Sequence, residues 1–283
     1  MTTRLRCAID SATTLLADAG IDSARYDAEE LAAHLAGTDR GRLPLLGSPD
    51  QAFFDNYRAA VAARSRRVPL QHLTGVTAFG PLTLSVGPGV FIPRPETEAM
   101  LEWAVGQSLP AGPVVVDVCT GSGALALAVA RHWPEARVIG VDDSEAALDY
   151  ARRNSAGTTV EFICADVADP GVLAEFDGQV DLMVANPPYV PDGAELEPEV
   201  VEHDPPHAVF GGPDGMALIP AVVGLAGRLL RPGGLFAVEH DDTTSSMTAQ
   251  TIRGTARFND VVARMDLVGR PRFVTARKRA AHD

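Results

Sequence analysis

Leu5, Ile9, Leu15 and Leu16 recur at helical spacing near the start of the chain. Leu31 and Leu35 with their neighbouring alanines do the same, as do Phe53, Phe54, Tyr57 and Val61. Apolar residues spaced i, i+3 and i+4 line one face of an amphipathic helix. Gly20, Gly37-Thr38 and Gly47-Ser48-Pro49-Asp50 supply stops and starts between them. Residues 4–66 therefore predict a small bundle of about four short helices. The period then changes. Thr77-Ala-Phe79 and Leu82-Thr-Leu84-Ser-Val86 flank Gly80-Pro81, which is a hairpin signal, and residues 68–90 are expected to link two domains. From Pro93 onward strands alternate with helices. Strands are expected over 114–118, 137–141, 160–164, 180–185 and 235–239, and helices over 123–132, 144–154 and 216–230. Such alternation implies a mostly parallel sheet covered by helices on both faces. The last two strand-like runs, 261–266 and 272–276, are separated only by a turn around Gly269-Arg-Pro271, too short for a parallel crossover. The expected fold is α/β: a mostly parallel seven-stranded sheet ending in an antiparallel hairpin, preceded by a helical domain. The expected boundaries are 1–67, 68–90 and 91–283.

Charge modifies this picture more than composition does. A chain of 283 residues with 46% hydrophobic and 22% charged residues is that of a soluble globular protein. The N-terminus has no hydrophobic signal core, and no apolar run approaches a membrane span, so a cytoplasmic location is expected. Cys7, Cys119 and Cys164 lie far apart with no CxxC spacing, which suits a reducing compartment and argues against a disulfide framework or a zinc site. The net charge of −13 is unevenly placed: residues 1–88 hold nine Arg against nine Asp and Glu, residues 89–283 hold 15 basic against 28 acidic residues. Residues 190–215 carry Asp192, Glu195, Glu197, Glu199, Glu202, Asp204 and Asp214 with no Lys or Arg. The run is either a solvated loop or a surface that repels phosphate backbones and welcomes a basic protein. Direct binding of nucleic acid is not expected, nor of membranes.

The most informative stretch is 181–191, where a buried strand runs into Asn186-Pro187-Pro188-Tyr189. Two prolines lack N–H groups and fix φ, so the chain bends rigidly just past the strand end. The bend offers an amide side chain, free carbonyls and an aromatic face. That set grips a planar carboxamide or an amino-purine edge. A turn-forming Asn before proline is the bland alternative.

Asp117-Val-Cys119-Thr120-Gly121-Ser122-Gly123 marks the turn from the first strand into a helix. Glycines let a ligand approach, and the helix start offers unpaired N–H groups. The spacing is not GxGxxG, so a dinucleotide is not the natural guest; a tight turn without a ligand is the other reading. Asp142 ends the second strand, where a carboxylate accepts ribose hydroxyls, although Asp143 and Ser144 are better placed to cap the next helix. Asp166 follows the third strand and suits an adenine amino group. Glycines and two acids on successive strand ends describe a pocket for S-adenosylmethionine, in the order of a class I (Rossmann-like) methyltransferase.

On these residues the chain resembles the release-factor glutamine methyltransferases, the protein N5-glutamine methyltransferase family. Phe91-Ile-Pro93-Arg94-Pro95-Glu96-Thr97-Glu98 is similar to the family's Pro-Arg-Pro-Glu-Thr-Glu segment. Thr120-Gly-Ser-Gly123, Asn186-Pro-Pro-Tyr189, Gly211-Gly-Pro-Asp-Gly215, Arg231-Pro-Gly-Gly234 and Asp266-Leu-Val-Gly-Arg-Pro-Arg272 follow in family order. Two positions depart from it. Cys119 stands where many members have Gly. Glu239-His240-Asp241-Asp242 replaces a Glu-x-Gly-x-x-Gln pattern, and Glu239 is left out of the expected site.

The resemblance implies methyl transfer from S-adenosylmethionine to the glutamine amide of the Gly-Gly-Gln motif in class 1 peptide release factors. It implies a helical substrate-recognition domain at the N-terminus and a monomeric enzyme. Implied cofactor contacts are Phe91, Arg94, Asp117, Cys119, Thr120, Gly121, Ser122, Gly123, Asp142, Asp166, Val167 and Asn186. Asn186, Pro187 and Tyr189 are the implied catalytic residues. Asn186, Pro187, Pro188 and Tyr189 would hold the substrate: Asn186 Oδ1 and the Pro187 carbonyl accept the amide hydrogens, and the rings pack on the amide plane. No general base is evident. An N6-adenine nucleic-acid methyltransferase shares the Asn-Pro-Pro-Tyr chemistry, and methylation of a ribosomal-protein glutamine is a further alternative. A cofactor-binding interaction module is a third. Among other polar residues, the prolines beside His203 and His207 rule out a helical metal pair. Arg64, Arg66 and Arg67 are read as a solvated helix end in preference to a contact for an acidic partner, and Trp103 and Trp133 are expected in the core.

Overall fold

The computed structural model describes residues 2–280, which divide into two compact units. One comprises Met1–Val76 together with Leu196–His203; the other comprises Thr77–Glu195 and Asp204–Asp283. The helical unit holds α1 (Thr3–Asp18), α2 (Ala24–Leu35), α3 (Gln51–Ser65) and α4 (Leu70–Thr74), with a 3-10 turn Arg40–Leu45 before α3. Side-chain caps start two of them: Thr2 accepts from the Leu5 N–H, and Asp50 accepts from the Phe53 N–H at 2.8 Å. The apolar stripes meet in one core built from Leu5, Ile9 and Leu16, Ala28 and Leu31, and Phe54, Tyr57 and Val61. Leu15, on the same apolar pattern, faces solvent instead.

The boundary differs from the one expected at residue 67. Leu70 and Leu73 of α4 pack against the helical core, which draws residues 68–76 into that unit. The inserted Leu196–His203, containing the short helix Pro198–His203, belongs there too. Arg64 explains the insertion. Its guanidinium binds Asp27 at 2.6 Å and Glu199 at 2.8 Å, and it is 6% exposed. Arg67 binds Glu197 and Glu199, both at 2.6 Å. The expected solvated basic helix end is therefore corrected for Arg64 and Arg67; Arg66 alone of the three is exposed. The acidic run is corrected with it, since Glu197 and Glu199 are ion-paired rather than free. A local pattern cannot show partners 130 or more positions away.

The second unit, from Thr77 onward, holds nearly all of the hairpin strands β1 (Val76–Phe79) and β2 (Leu82–Ser85), then α5 (Glu98–Val105). There follow β3 (Val114–Val118), α6 (Ala124–His132), β4 (Arg137–Asp142), α7 (Glu145–Asn154), β5 (Glu161–Cys164) and β6 (Val180–Ala185). After α8 (Pro198–His203) come α9 (Pro206–Val209), α10 (Ile219–Leu229), β7 (Leu230–Glu239), α11 (Ser245–Gly254), β8 (Phe258–Met265) and β9 (Pro271–Lys278). The sheet order is β5-β4-β3-β6-β7-β9-β8. Pairings are parallel through β7; β9 runs antiparallel to both β7 and β8. This is the class I methyltransferase arrangement expected from the sequence. Val116, Val118, Ile139, Val184 and Phe236 are wholly buried in the central strands, as a sheet covered on both faces requires. Trp103 and Trp133 pack at the edge of the core and stay half-buried.

The chain leaves β3 toward β4 on one side and returns through β6 to the other, so β3 and β6 are neighbours where the winding reverses. A crevice opens outside the carboxyl ends of strands at such a point. Both motifs singled out in the sequence lie there: Asp117–Gly123 follows β3 and Asn186–Tyr189 follows β6.

Candidate active site

The turn after β3 is held by its own acid. Asp117 Oδ2 accepts from the Thr120 hydroxyl at 2.6 Å and from the Ala126 N–H at 3.0 Å, which ties the strand end to the first turn of α6. Gly123 sits at φ +82°, and a Cβ there would meet Leu127, Phe162 and Ala151 within 3.3 Å. Only glycine suits both the left-handed backbone and that close packing. Cys119 adopts φ +58° without being glycine.

Asp142 closes the other side. Its Oδ2 accepts from the Gly121 N–H at 2.8 Å and its Oδ1 from the Ser144 N–H at 3.0 Å. Ser144 itself caps α7 by accepting from the Ala147 N–H. Burial pushes the Asp117 carboxyl up to about 7, against the bonds from Thr120 and Ala126; the charge of Asp142 adds to the rise. Burial likewise raises Asp142, against the Gly121 and Ser144 N–H groups. It also raises the Cys119 thiol, helped by the surrounding carboxylates, so the thiol stays protonated. The pocket therefore gathers buried acids whose charged forms lack full compensation. Asp117 Oδ1 and Ser122 Oγ are buried without a hydrogen-bond partner among the described residues, and a cationic, hydrogen-bonding guest relieves both deficits.

The bend after β6 is held by backbone contact. The Asn186 N–H donates to the Val118 carbonyl at 3.3 Å. Val190 pairs with Phe210, and the Gly211 N–H donates to the Val190 carbonyl at 2.8 Å. A Cβ on Gly211 would lie 2.6 Å from the Pro188 carbonyl oxygen; one on Gly215, at φ +75°, would lie 2.2 Å from that of Tyr189. The Gly211–Gly215 loop thus braces the bend, and glycine is the only residue that fits at either contact.

One pocket gathers most of the expected site: Phe91, Asp117, Cys119, Thr120, Gly121, Ser122, Asp142, Asp166, Val167, Asn186 and Pro188 all line it. Gly123, Arg94, Pro187 and Tyr189 do not. Gly123 packs behind the turn. The Arg94 guanidinium binds Asp204 and lies 4.9 Å from the centroid of the Phe91 ring, which lines the pocket. The Tyr189 hydroxyl points away and donates to Glu239 Oε1 at 2.7 Å.

Sequence reasoning missed three neighbours. Thr97 lines the pocket and accepts from Asn186 Nδ2 at 3.2 Å; it lies inside the Pro-Arg-Pro-Glu-Thr-Glu segment, which was the available signal. Glu239, omitted for its altered surroundings in sequence, is wholly buried at the end of β7. Burial pushes its carboxyl up to about 7, against the Tyr189 and Thr97 hydroxyls. His207, from α9, also lines the pocket; in the sequence it is weighed only for a metal pair. No cluster of His, Cys, Asp and Glu fit to hold a metal occurs among the described residues. Nor, among them, is any helix long and apolar enough to cross a membrane.

With this geometry the likeness to known proteins is specific. The family described as "PrmC N-terminal domain" matches residues 8–75, and that described as "Methyltransferase domain" matches 115–196. The release factor glutamine methyltransferase of Mycobacterium tuberculosis is 69% identical over 276 residues, covering 96% of this chain and 91% of its own. That of Mycobacterium leprae is 67% identical over 283 residues, covering 99% and 98%. The chain belongs to the release factor glutamine methyltransferase family. A 4-amino-L-phenylalanine/4-methylamino-L-phenylalanine methyltransferase of Streptomyces pristinaespiralis is similar too, at 40% identity over 268 residues, covering 91% and 90%. Membership accounts for the guest. S-adenosylmethionine carries a sulfonium and an ammonium, and the orphaned Asp117 Oδ1 and Ser122 Oγ in a wall of acids fit a cation with a polar tail.

Proposed function

We propose that this chain is the S-adenosylmethionine-dependent enzyme that methylates the side-chain amide nitrogen of the Gly-Gly-Gln glutamine in class 1 peptide release factors, acting in the cytoplasm. The observation that carries this reading is the braced Asn186-Pro187-Pro188-Tyr189 bend, with Asn186 and Pro188 lining the same pocket as the acid-rich turn after β3. The helical unit, with its own core, is the expected recognition domain for the protein substrate.

S-adenosylmethionine supplies an activated methyl group on a sulfonium. The protein supplies position. An amide lone pair is delocalised and a poor nucleophile, so its alignment matters more than deprotonation; orientation of two bound reactants can supply roughly 7–11 kcal/mol of a barrier. Asn186 Oδ1 and the Pro187 carbonyl accept the two amide hydrogens, which aims the nitrogen and favours the positive charge that grows on it. The proton leaves through Asn186 or solvent. Tyr189 is not a base: burial, and then the Glu239 carboxylate, hold its hydroxyl well above the ordinary phenol range.

The test is radiolabelled methyl transfer with a purified class 1 release factor, its Gly-Gly-Gln→Gly-Gly-Ala variant, a ribosomal protein, DNA and 4-amino-L-phenylalanine offered in parallel. Label on the release factor that vanishes with the glutamine is the expected result. Label on DNA, or label that survives loss of the glutamine, overturns it. The free amino acid is included because of the relative that takes an arylamine.

A further inference from the structure

Asn186 has two chemically different ends, and only one of them serves the reaction. Oδ1 accepts an N–H from a glutamine amide; Nδ2 would present two more donors to a group that has donors already. Which end faces the reacting nitrogen depends on what holds the other end. Here Nδ2 donates to Thr97 Oγ1 at 3.2 Å. Thr97 is 3% exposed and closes the 3-10 turn Pro95–Thr97 before α5.

A hydroxyl both donates and accepts, so Thr97 alone would tolerate either orientation of the amide. The polarity is set one residue further on. Glu239 Oε1 accepts from the Tyr189 hydroxyl, while Oε2 is buried with no hydrogen-bond partner among the described residues. Burial raises this carboxyl to about 7, and the Tyr189 and Thr97 hydroxyls work against its protonation. An ionised carboxylate only accepts. When ionised, Glu239 offers the Thr97 proton an acceptor, which leaves the Thr97 lone pair for Asn186 Nδ2, the donor at 3.2 Å.

We propose that Thr97, oriented by the Glu239 carboxylate, is a positioning residue that fixes the Asn186 amide with Oδ1 toward the reacting nitrogen. One buried acid then secures both ends of the bend, Asn186 through Thr97 and Tyr189 directly. Arg272 on β9 favours the ionised form with its charge, and Glu96 opposes it. The inference rests on the proposed reaction, since it concerns which atom meets the substrate amide.

The experiment compares Thr97→Val, which keeps shape and loses the hydroxyl, with Thr97→Ser, which restores it. Single-turnover methyl transfer to the release factor should slow by ~10–100-fold in Thr97→Val, as for a misplaced polar contact. Thr97→Ser should return to within about 3-fold of wild type, with cofactor affinity within about 3-fold in both. In an Asn186→Ala background Thr97→Val should add nothing, because coupled residues are not additive. A Thr97→Val rate within about 2-fold of wild type, a Thr97→Ser as slow as Thr97→Val, or additive losses would overturn the inference. The Asn186 side-chain amide resonance in 15N-labelled protein gives a readout independent of turnover. It should shift and exchange faster with water in Thr97→Val but not in Thr97→Ser. An unmoved resonance refutes the Thr97 link even if the wild type labels no glutamine, an outcome that would refute only the proposed reaction.

Discussion

Asp27 in the helical unit and Asp117 in the catalytic unit are buried to the same degree, at 2% and 1% exposure, yet they live in opposite surroundings. Asp27 meets the buried Arg64 guanidinium at 2.6 Å and accepts the Ser23 hydroxyl at 2.8 Å. Asp117 has two neutral donors on one oxygen and none on the other. A buried charge that is paired is part of the fold; one left uncompensated is waiting for a ligand. Glu239 stands between the two cases, with Tyr189 on one oxygen and Arg272 contributing only through its charge.

That contrast can be broken most severely on the paired side. Arg64→Met leaves Asp27 and Glu199 without their shared cation, and should lower unfolding free energy by about 3–5 kcal/mol, measured by denaturant titration. The positioning end comes next. Asn186→Ala should depress methyl transfer by ~10²-fold or more while cofactor affinity changes much less; a rate within a few-fold of wild type refutes its role. Asp117→Asn should weaken S-adenosylmethionine binding by roughly 10–100-fold, the worth of a hydrogen bond to a charged group. Unlike Arg64→Met, it should leave the cofactor-free protein as stable as before or more so.

Titration sharpens the same point. Asp117 and Glu239 are each raised to about 7, from ordinary values of 3.8 and 4.5. A group raised on folding holds its proton more tightly when folded, so its stabilising effect is complete below the ordinary value and lost as pH rises through the raised one. The cofactor-free protein should therefore lose stability between about pH 4 and 7, and the slope should flatten in Asp117→Asn with Glu239→Gln. Cofactor binding near pH 7 should release protons, seen as a buffer-dependent calorimetric heat. The smallest effect is expected at Cys119, whose φ of +58° strains a non-glycine residue. Cys119→Gly should stabilise by about 1 kcal/mol, read as a small rise in melting temperature.

Strand and helix alternation, the closing hairpin and the two motifs at the strand ends were legible because each is a local pattern of a few residues. That Asn186, Asp117 and Asp142 stand at strand ends beside one pocket was readable for the same reason. Arg64 and Arg67 were misread, as were Glu197 and Glu199, because these partners lie 130 or more positions apart and ion pairs leave no periodic trace. The bond of Arg94 to Asp204, 110 positions on, likewise left no local signal. Glu239 was set aside because its neighbours in sequence differ from the family pattern, whereas its role follows from Tyr189, 50 positions before it.

The sequence by itself determined the fold class, the cofactor and the Asn-Pro-Pro-Tyr bend, since hydrophobic period, glycine spacing and proline geometry act over short range. Tertiary structure alone decided how that bend is held. Gly211 and Gly215 brace it through backbone contact, Thr97 and Glu239 anchor its side chains, and Asp117 keeps an oxygen open toward the pocket. These arrangements depend on which groups burial brings together, and on whether each buried polar atom finds a partner there. Neither is encoded within any single segment.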